Sequence, residues 1–210
     1  DVNGFYQFLN LVPGTYTIVE TQPLGFLDGI DTPGSLGGAN PSNDVLTVTL
    51  SEGQNGVEYN FGEILPSAVF GFVYEDVNRN RRRDPGEPGI ANTTVTITGT
   101  VFDGTPLARL LQPSDSIVGL SVRTDATGRY EFPFLPPGTY TITETQPVGF
   151  EDFFESVQEP FTRPVVVGND VFSGVVAAPG ETRGALNFGE VRATGVVVDD
   201  PTKRNFLGSS

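Results

Sequence analysis

Oxygen-bearing side chains are spaced at regular intervals in one short stretch of this 210-residue chain. At positions 1, 3, 5, 9 and 12 of a twelve-residue segment, they are Asp76, Asn78, Asn80, Asp84 and Glu87. Position 7 is Arg82, whose backbone carbonyl offers a sixth oxygen. Calcium-binding loops with this spacing wrap the ion in six to eight hard oxygen ligands. The sequence therefore predicts a Ca²⁺ site formed by these six residues.

Two features of the segment predict that calcium binds weakly. Position 6, which carries Gly at the sharp turn of such loops, is Arg81, and a left-handed conformation costs a non-Gly residue about 1–2 kcal/mol. From Glu75 to Glu87 four carboxylates accompany four arginines, so the formal charge is zero. We expect dissociation constants of about 10⁻⁴–10⁻³ M, typical of extracellular modules. The alternative interpretation is a solvated polar hairpin with an arginine-rich tip.

The composition excludes several other kinds of site. The chain has no His and no Cys, which removes thiol catalysis, disulfides, imidazole-based triads and most zinc sites. A net charge of −14 argues against nucleic acid and anionic membranes as partners. No apolar run approaches the roughly 18 residues that cross a bilayer. Acid pairs such as Glu151-Asp152 are common in so acidic a chain, so we expect no enzyme activity.

The elements that position the segment belong to an internal repeat. Residues 1–26 are identical to residues 125–150 at 17 of 26 positions without a gap. Two further stretches recur with nearly the same shift, namely Asn60-Phe61-Gly62-Glu63 as Asn187-Phe188-Gly189-Glu190, and 71–76 as 195–200. Such a long-period repeat indicates one supersecondary unit used more than once.

Three segments follow from this repeat. We predict the C-terminal part of one unit at 1–64, a complete unit with the calcium loop at 65–191, and a tail at 192–210 that resembles the first strand of the next unit. Because the chain opens with Asp1 and contains no Met, we expect it to be a piece of a longer protein.

Apolar residues alternate with polar ones in short stretches separated by Asn-Gly, Pro-Gly, Asp-Gly and Thr-Gly turns. The stretches are 16–18, 46–50, 70–74, 94–97, 140–142 and 185–188. Period-two alternation is typical of antiparallel strands with one buried face. The sequence predicts an all-β fold of β-sandwiches repeated in tandem.

The motifs together resemble the B-type repeat of bacterial serine-aspartate-repeat surface proteins, which is related to the B domain of collagen adhesins. They are D-x-N-x-N-x-x-x-D-x-G-E-P-G from Asp76, T-D-A-T-G-R-Y-E-F from Thr124, L-P-P-G-T-Y-T-I-T-E-T-Q-P-V-G-F from Leu135, and N-F-G-E from Asn187. The resemblance covers nearly all of 66–191 and, truncated, 1–64. It implies an immunoglobulin-like (prealbumin-like) sandwich, calcium bound after the first strand, and an extracellular location at the cell surface.

Many relatives in the wider family form an isopeptide bond between a Lys on the first strand and an Asn or Asp on the last, assisted by a buried Glu. The resemblance places Glu144 at the position of that Glu and Asn187 on the last strand. The first strand carries no Lys, and Lys203 is the only one in the chain, so the bond cannot form within 66–191. We expect Glu144 to accept hydrogen bonds from backbone or Tyr hydroxyl groups.

Two functions remain open. The first is a non-catalytic, calcium-stiffened stalk or fibre, whose partners are calcium and neighbouring repeats or identical chains arranged head to tail. In this hypothesis the tail stretch 194–199 adds as a strand to residues 1–64 of a neighbouring molecule. The alternative is an adhesive module that binds a glycan or matrix protein. Phe150, Phe153, Phe154 and Phe161 favour it if they form an exposed platform, although we expect a core or interface role for them.

Overall fold

The computed structural model describes residues 1–101, 120–158 and 165–194, and the chain divides into two compact units, Asp1–Pro66 and Ser67–Ser210. Every regular element in the described residues is a strand, which confirms the all-β prediction. In these same residues no helix is long and apolar enough to cross a membrane. The predicted tail strand and its donation to a neighbour lie outside the described residues, apart from Thr194.

The first unit contains four strands in two small sheets. They are β1 (Gly14–Val19), β2 (Leu27–Asp28), β3 (Val45–Leu50) and β4 (Glu63–Ile64). β1 pairs with β3 and β2 with β4, both antiparallel. Alternate residues of β3 point inward, so Leu46 and Val48 are buried together with Tyr59. The core of this unit is therefore small.

The described residues of the second unit form ten strands. They are β5 (Ser67–Glu75), β6 (Thr94–Val101), β7 (Leu120–Arg123), β8 (Arg129–Leu135), β9 (Gly138–Glu144), β10 (Phe150–Val157), β11 (Val166–Gly168), β12 (Val171–Ala177), β13 (Thr182–Arg183) and β14 (Leu186–Arg192). One sheet has the order β10-β14-β5-β13, with β8 also paired to β5, and the other has the order β11-β12-β9-β6-β7.

The inner faces of these two sheets share one hydrophobic core. Inward residues alternate along the strands, as in β9, where Tyr140 and Ile142 are buried and their neighbours are less so. Phe172 of β12 and Phe188 of β14 meet across the sheets with ring centroids 4.9 Å apart. The second unit is thus the two-layer sandwich that the alternation predicted. The tandem arrangement stays a prediction.

The first and last strands of the sandwich, β5 and β14, are adjacent and parallel. Val73 pairs with Phe188, and the pairing continues through Glu75 and Glu190. Gly71 allows this approach, because a Cβ there would lie 1.8 Å from the backbone oxygen of Leu186. A larger residue at position 71 would therefore force the strands apart.

Comparison of the units shows what the first one lacks. Through the repeat, β1 corresponds to β9, β3 to β12, and the β2–β4 pair to part of the β10–β14 pair. β9 lies between β12 and β6 in its sheet, whereas β1 pairs only with β3 within residues 1–66, all of which are described. Within residues 1–66, no strand therefore pairs with β1 on the side where β6 pairs with β9.

Candidate metal centre

The predicted calcium segment, 76–87, is a loop that starts where β5 ends. At its base the Glu75 amide donates to the carbonyl of Pro88 at 2.9 Å. The Asp76 amide donates to the carbonyl of Glu190 at 2.8 Å. The first bond joins the two ends of the loop, and the second joins its start to the last strand, β14.

Asp76 is the buried anchor of the loop. Its side chain is only 1% exposed. Oδ1 accepts a hydrogen bond from the Asn80 amide at 3.1 Å, and Oδ2 accepts one from the Arg81 amide at 2.7 Å. The chain therefore curls around this carboxylate.

The side chains of Asn78, Asn80 and Asp84 meet within the loop. The side-chain amides of Asn78 and Asn80 both donate to Asp84 Oδ2, at 2.9 Å and 2.5 Å. Their oxygens accept from the loop backbone, Asn78 Oδ1 from the Asn80 amide and Asn80 Oδ1 from the Arg82 amide. The hydrogen bond from the Asn78 side chain, followed by the one from Asn80, holds the pKa of Asp84 below its usual value.

Glu87, at the other end of the loop, completes this network of hydrogen bonds. Its Oε1 accepts from the Val77 amide at 3.1 Å, and its Oε2 accepts from the Asp84 amide at 2.9 Å. One hydrogen-bonded network thus joins all five predicted side chains. Arg82 enters it through its backbone amide.

The chemistry of the predicted metal ligands suits calcium. It consists of three carboxylates, two side-chain amides and a backbone carbonyl, which are all hard oxygen ligands of the kind Ca²⁺ takes from loops. The residues that would hold the ion are Asp76, Asn78, Asn80, Arg82, Asp84 and Glu87. Hydrogen bonds join these residues into one network, and the ion and its ligands remain a prediction.

The arginines of the loop attach it to the outer face of the sheet. Arg79, Arg81 and Arg83 place their guanidinium groups over the rings of Phe153, Phe154 and Phe72, at 5.9, 5.2 and 3.8 Å from the ring centroids. Arg81, at position 6, has φ +68°. The left-handed backbone expected there is therefore present, along with its energetic cost.

Arginines also lie over the phenylalanine rings that could have formed an exposed binding platform. Phe153 and Phe154 lie under Arg79 and Arg81, and Phe150 lies under Arg192 at 5.4 Å while packing against the core. The three rings are thus partly covered by the chain's own cations. Phe161 lies outside the described residues.

The expectation for Glu144 was wrong. Its side chain is 4% exposed, and neither carboxylate oxygen has a hydrogen-bond donor among the described residues. Asn187 does find partners, because its oxygen accepts from the Phe72 amide at 3.2 Å and its nitrogen donates to Gln158 at 2.6 Å. Neither backbone nor Tyr hydroxyl groups satisfy Glu144, since other carboxylates surround it.

Sequence reasoning missed these neighbouring carboxylates, which are Asp152, Glu155, Asp170 and Glu190. Burial, followed by the negative charges of Glu190 and Asp170, raises the pKa of Glu144 to about 10. Burial is also the main cause that raises the pKa values of Glu155 and Glu190 to about 7. The internal repeat could have revealed that Glu144 and these four acids belong together, because each of the five is matched by an acid in the first unit.

Comparisons with known proteins agree with the motifs. Residues 68–158 match the SdrD B-like domain family. Over 151 residues the chain is 30% identical to serine-aspartate repeat-containing protein F of Staphylococcus epidermidis, covering 71% of this chain and 8% of that protein. Over 161 residues it is 29% identical to bone sialoprotein-binding protein of Staphylococcus aureus, with 71% of this chain and 12% of that protein covered. The chain therefore spans a small part of these relatives.

The chain also aligns with solved structures of bacterial proteins at low sequence identity. The Bacillus anthracis TIE protein aligns with 88% of this chain and 26% of its own, with a TM-score of 0.40 and 18% identity. The shaft pilin SpaA from Lactobacillus rhamnosus GG aligns with 85% of this chain and 64% of its own, with a TM-score of 0.37 and 13% identity.

Proposed function

The chain carries an SdrD B-like domain, a repeat of bacterial cell-surface proteins, and we propose that this domain is a non-catalytic structural element stiffened by calcium in the 76–87 loop. The observation that carries the proposal is the ring of hydrogen bonds that joins Asp76, Asn78, Asn80, Asp84 and Glu87. A bound calcium ion would supply positive charge that offsets the loop carboxylates.

The position of the loop gives calcium a route to mechanical strength. Asp76 follows β5 directly and bonds to the backbone of β14, so a fixed loop holds the ends of these strands together. Force applied at the two ends of the second unit acts along the parallel β5–β14 pair. The strands must slide past each other, and the bonds around Val73, Tyr74 and Glu75 must break together. Resistance to such forced unfolding is governed by the unfolding rate.

Calcium binding can be tested with the matched variants Asp84→Asn and Asp125→Asn. Asp84 lies at the centre of the ring, whereas Asp125 organises an exposed turn elsewhere, accepting from the Thr127 and Arg129 amides. Both changes remove one negative charge. In calorimetric titrations of the full chain, we expect Asp84→Asn to weaken calcium binding to the loop by at least tenfold and Asp125→Asn to leave it unchanged. Equal binding by both variants would contradict the loop assignment.

A further part of this proposal is head-to-tail assembly, and it is motivated by the side of β1 that no strand of residues 1–66 covers. Val12, just before β1, is 70% exposed, and Val19, the last residue of β1, is 67% exposed. In the second unit β6 pairs with β9, but within residues 1–66 no strand pairs with β1 in the corresponding position. Strand addition covers edges of this kind. We propose that residues 194–199 of a neighbouring chain fill it.

Deleting residues 195–210 leaves β14 intact and removes the proposed donor strand. We expect size-exclusion chromatography with light scattering to show assemblies of the full chain and monomers of the truncated one. Identical particle masses would refute strand donation without affecting the calcium assignment. The adhesive alternative has less support, because Phe150, Phe153 and Phe154 lie under arginines of the same unit.

A further inference from the structure

The arginines of the 76–87 loop form a positively charged surface on the second unit. Four of the chain's 12 basic residues stand here, namely Arg79, Arg81, Arg82 and Arg83. None of these side chains forms an ion pair with a carboxylate of the described residues, although the chain contains 26 acids. The acids of the loop accept hydrogen bonds from its own amides instead. We call the four guanidinium groups the arginine face.

Two other arginines of the second unit show what the arginine face lacks. Arg129 pairs with Glu131 at 2.5 Å, and Arg192 pairs with Glu75 at 2.8 Å. Both also lie over phenylalanine rings, as three of the loop arginines do. Stacking on a ring is therefore common to both groups, and the carboxylate partner is what differs. An acidic ligand would supply that partner to the arginine face.

The stacked arginines are held in place before any ligand arrives. The Arg83 guanidinium lies 3.8 Å from the centroid of the Phe72 ring, and its buried Nε has no acceptor among the described residues. The Arg81 guanidinium lies over Phe154 at 5.2 Å, and Arg81 is exposed. A planar guanidinium binds a carboxylate through two parallel hydrogen bonds, and one that is already fixed loses less conformational freedom in doing so.

A cavity of about 450 Å³ opens beside the arginine face. Its wall is formed by Arg81, Arg82 and residues 154–158 of β10 and the position after it. Phe154 contributes apolar surface, and the carboxylate of Glu155 is already engaged, because its Oε1 accepts from the Asp170 amide at 2.9 Å. Cavities of this size that combine apolar surface with a few charged groups are typical of ligand sites. This one has room for a side chain of a bound peptide.

The spread of the arginine face requires a ligand with more than one negative group. Phe72 lies on β5 and Phe154 on β10, with β14 between them. Two strand spacings separate the rings by roughly 10 Å, and the guanidinium groups of Arg83 and Arg81 lie over these rings. An extended peptide rises about 3.3 Å per residue, so acids three positions apart can reach both arginines.

The net charge of −14 limits the length of such a ligand without excluding it. At physiological ionic strength, charges on the surface act over about 8 Å. A short acidic segment on the arginine face is therefore attracted by the nearby guanidinium groups and little affected by distant acids. A long polyanion such as nucleic acid extends beyond the face and meets the acidic remainder of the surface.

From the unpaired guanidinium groups, their stacking and the adjoining cavity, we propose that the arginine face binds an extended acidic peptide segment of a partner protein. Carboxylates of the segment pair with Arg81 and Arg83, and an apolar side chain enters the cavity beside Phe154. This interaction adds a recognition surface to the mechanical role. It does not require calcium in the loop, because the guanidinium groups are present with or without the ion.

The test is fluorescence anisotropy with a labelled peptide of about eight residues, long enough to cross three strands. The peptide carries Glu at every third position and one Leu, and a neutral version carries Gln instead of Glu. The full chain is dialysed free of metal and of chelator, since chelators are themselves polycarboxylates. We expect saturable binding of the acidic peptide that weakens as NaCl is added, and no binding of the neutral one.

A matched pair of double variants locates the binding surface. Arg81→Gln with Arg82→Gln removes two charges from the arginine face. Arg129→Gln with Arg192→Gln removes two charges that are paired with glutamates. We expect the first pair to weaken binding of the acidic peptide at least tenfold, because charge-assisted hydrogen bonds are lost, and the second pair to match the original chain. Equal affinities of the two double variants would overturn the proposal.

Two further results would overturn the proposal. Equal binding of the neutral and acidic peptides would show that the carboxylates are not recognised. Tighter binding of a heparin-derived oligosaccharide than of the acidic peptide would assign the arginine face to a sulfated glycan. Arg82→Gln alone serves if the double variant fails to fold, because the Arg82 side chain is exposed and makes no ion pair or ring contact among the described residues. A folded Arg82→Gln should bind at least threefold more weakly, and unchanged affinity would refute the site.

Discussion

The backbone of Arg81 permits a sharp test of the loop geometry. Arg81 has φ +68°, and this conformation costs a residue with a Cβ about 1–2 kcal/mol. Replacement by Gly removes that cost, but it gives the unfolded chain extra freedom worth about 0.4–1 kcal/mol. Replacement by Gln keeps the strained backbone, and both variants lose the same charge and the same contact with Phe154.

The difference between Arg81→Gly and Arg81→Gln therefore isolates the backbone effect. We expect Arg81→Gly to be more stable than Arg81→Gln by roughly 0.5–1 kcal/mol, which is the relieved strain less the unfolded-state entropy. The assay is urea unfolding of the full chain in chelator, followed through the transition of the second unit. A glycine variant equal to or less stable than the glutamine variant would refute the left-handed turn at position 6.

Three further predictions concern the second unit. Gly71→Ala should destabilise it by about 1–3 kcal/mol in urea unfolding, because the new Cβ would lie 1.8 Å from the Leu186 carbonyl oxygen; unchanged stability would contradict the close β5–β14 contact. Phe188→Ala should cost about 3–5 kcal/mol, because the ring is fully buried against Phe172; a loss below about 1 kcal/mol would contradict this core assignment. In chelator, stability should fall as pH rises from 6 to 8, because the folded state raises the pKa of Glu144 to about 10 and so binds its proton more tightly than the unfolded state does. Glu144→Gln should weaken this pH dependence, and a variant with the same dependence would contradict it.

The strands could be predicted from the sequence because their signal is local. Period-two alternation located β1, β3, β5, β6 and β9, since each strand buries one face against the core. The short strands β2, β4 and β13 have only two residues each, too few for alternation to register. Their pairing depends on distant parts of the chain.

The same distinction applies to two groups of acidic side chains. The 76–87 loop could be proposed as a calcium site because its oxygen-bearing side chains follow one another within twelve residues. The grouping of Glu144, Asp152, Glu155, Asp170 and Glu190 could not be predicted in this way, because these residues meet only after β9 pairs with β12 and β10 with β14. In the internal repeat, acids occupy the matching positions of the first unit. The coverage of the aromatic rings by Arg79 and Arg81 likewise depends on how the loop folds back over β10.

The central claim is that calcium in the loop strengthens the second unit as a mechanical element. Single-molecule pulling on both ends of the full chain measures this directly. The stretch from Ser67 to Arg192 should extend by roughly 400 Å when it unfolds, which identifies the event. We predict that calcium raises the unfolding force of this event in the original chain and in Asp125→Asn, but not in Asp84→Asn. The same unfolding force with calcium and with chelator in the original chain would contradict the claim.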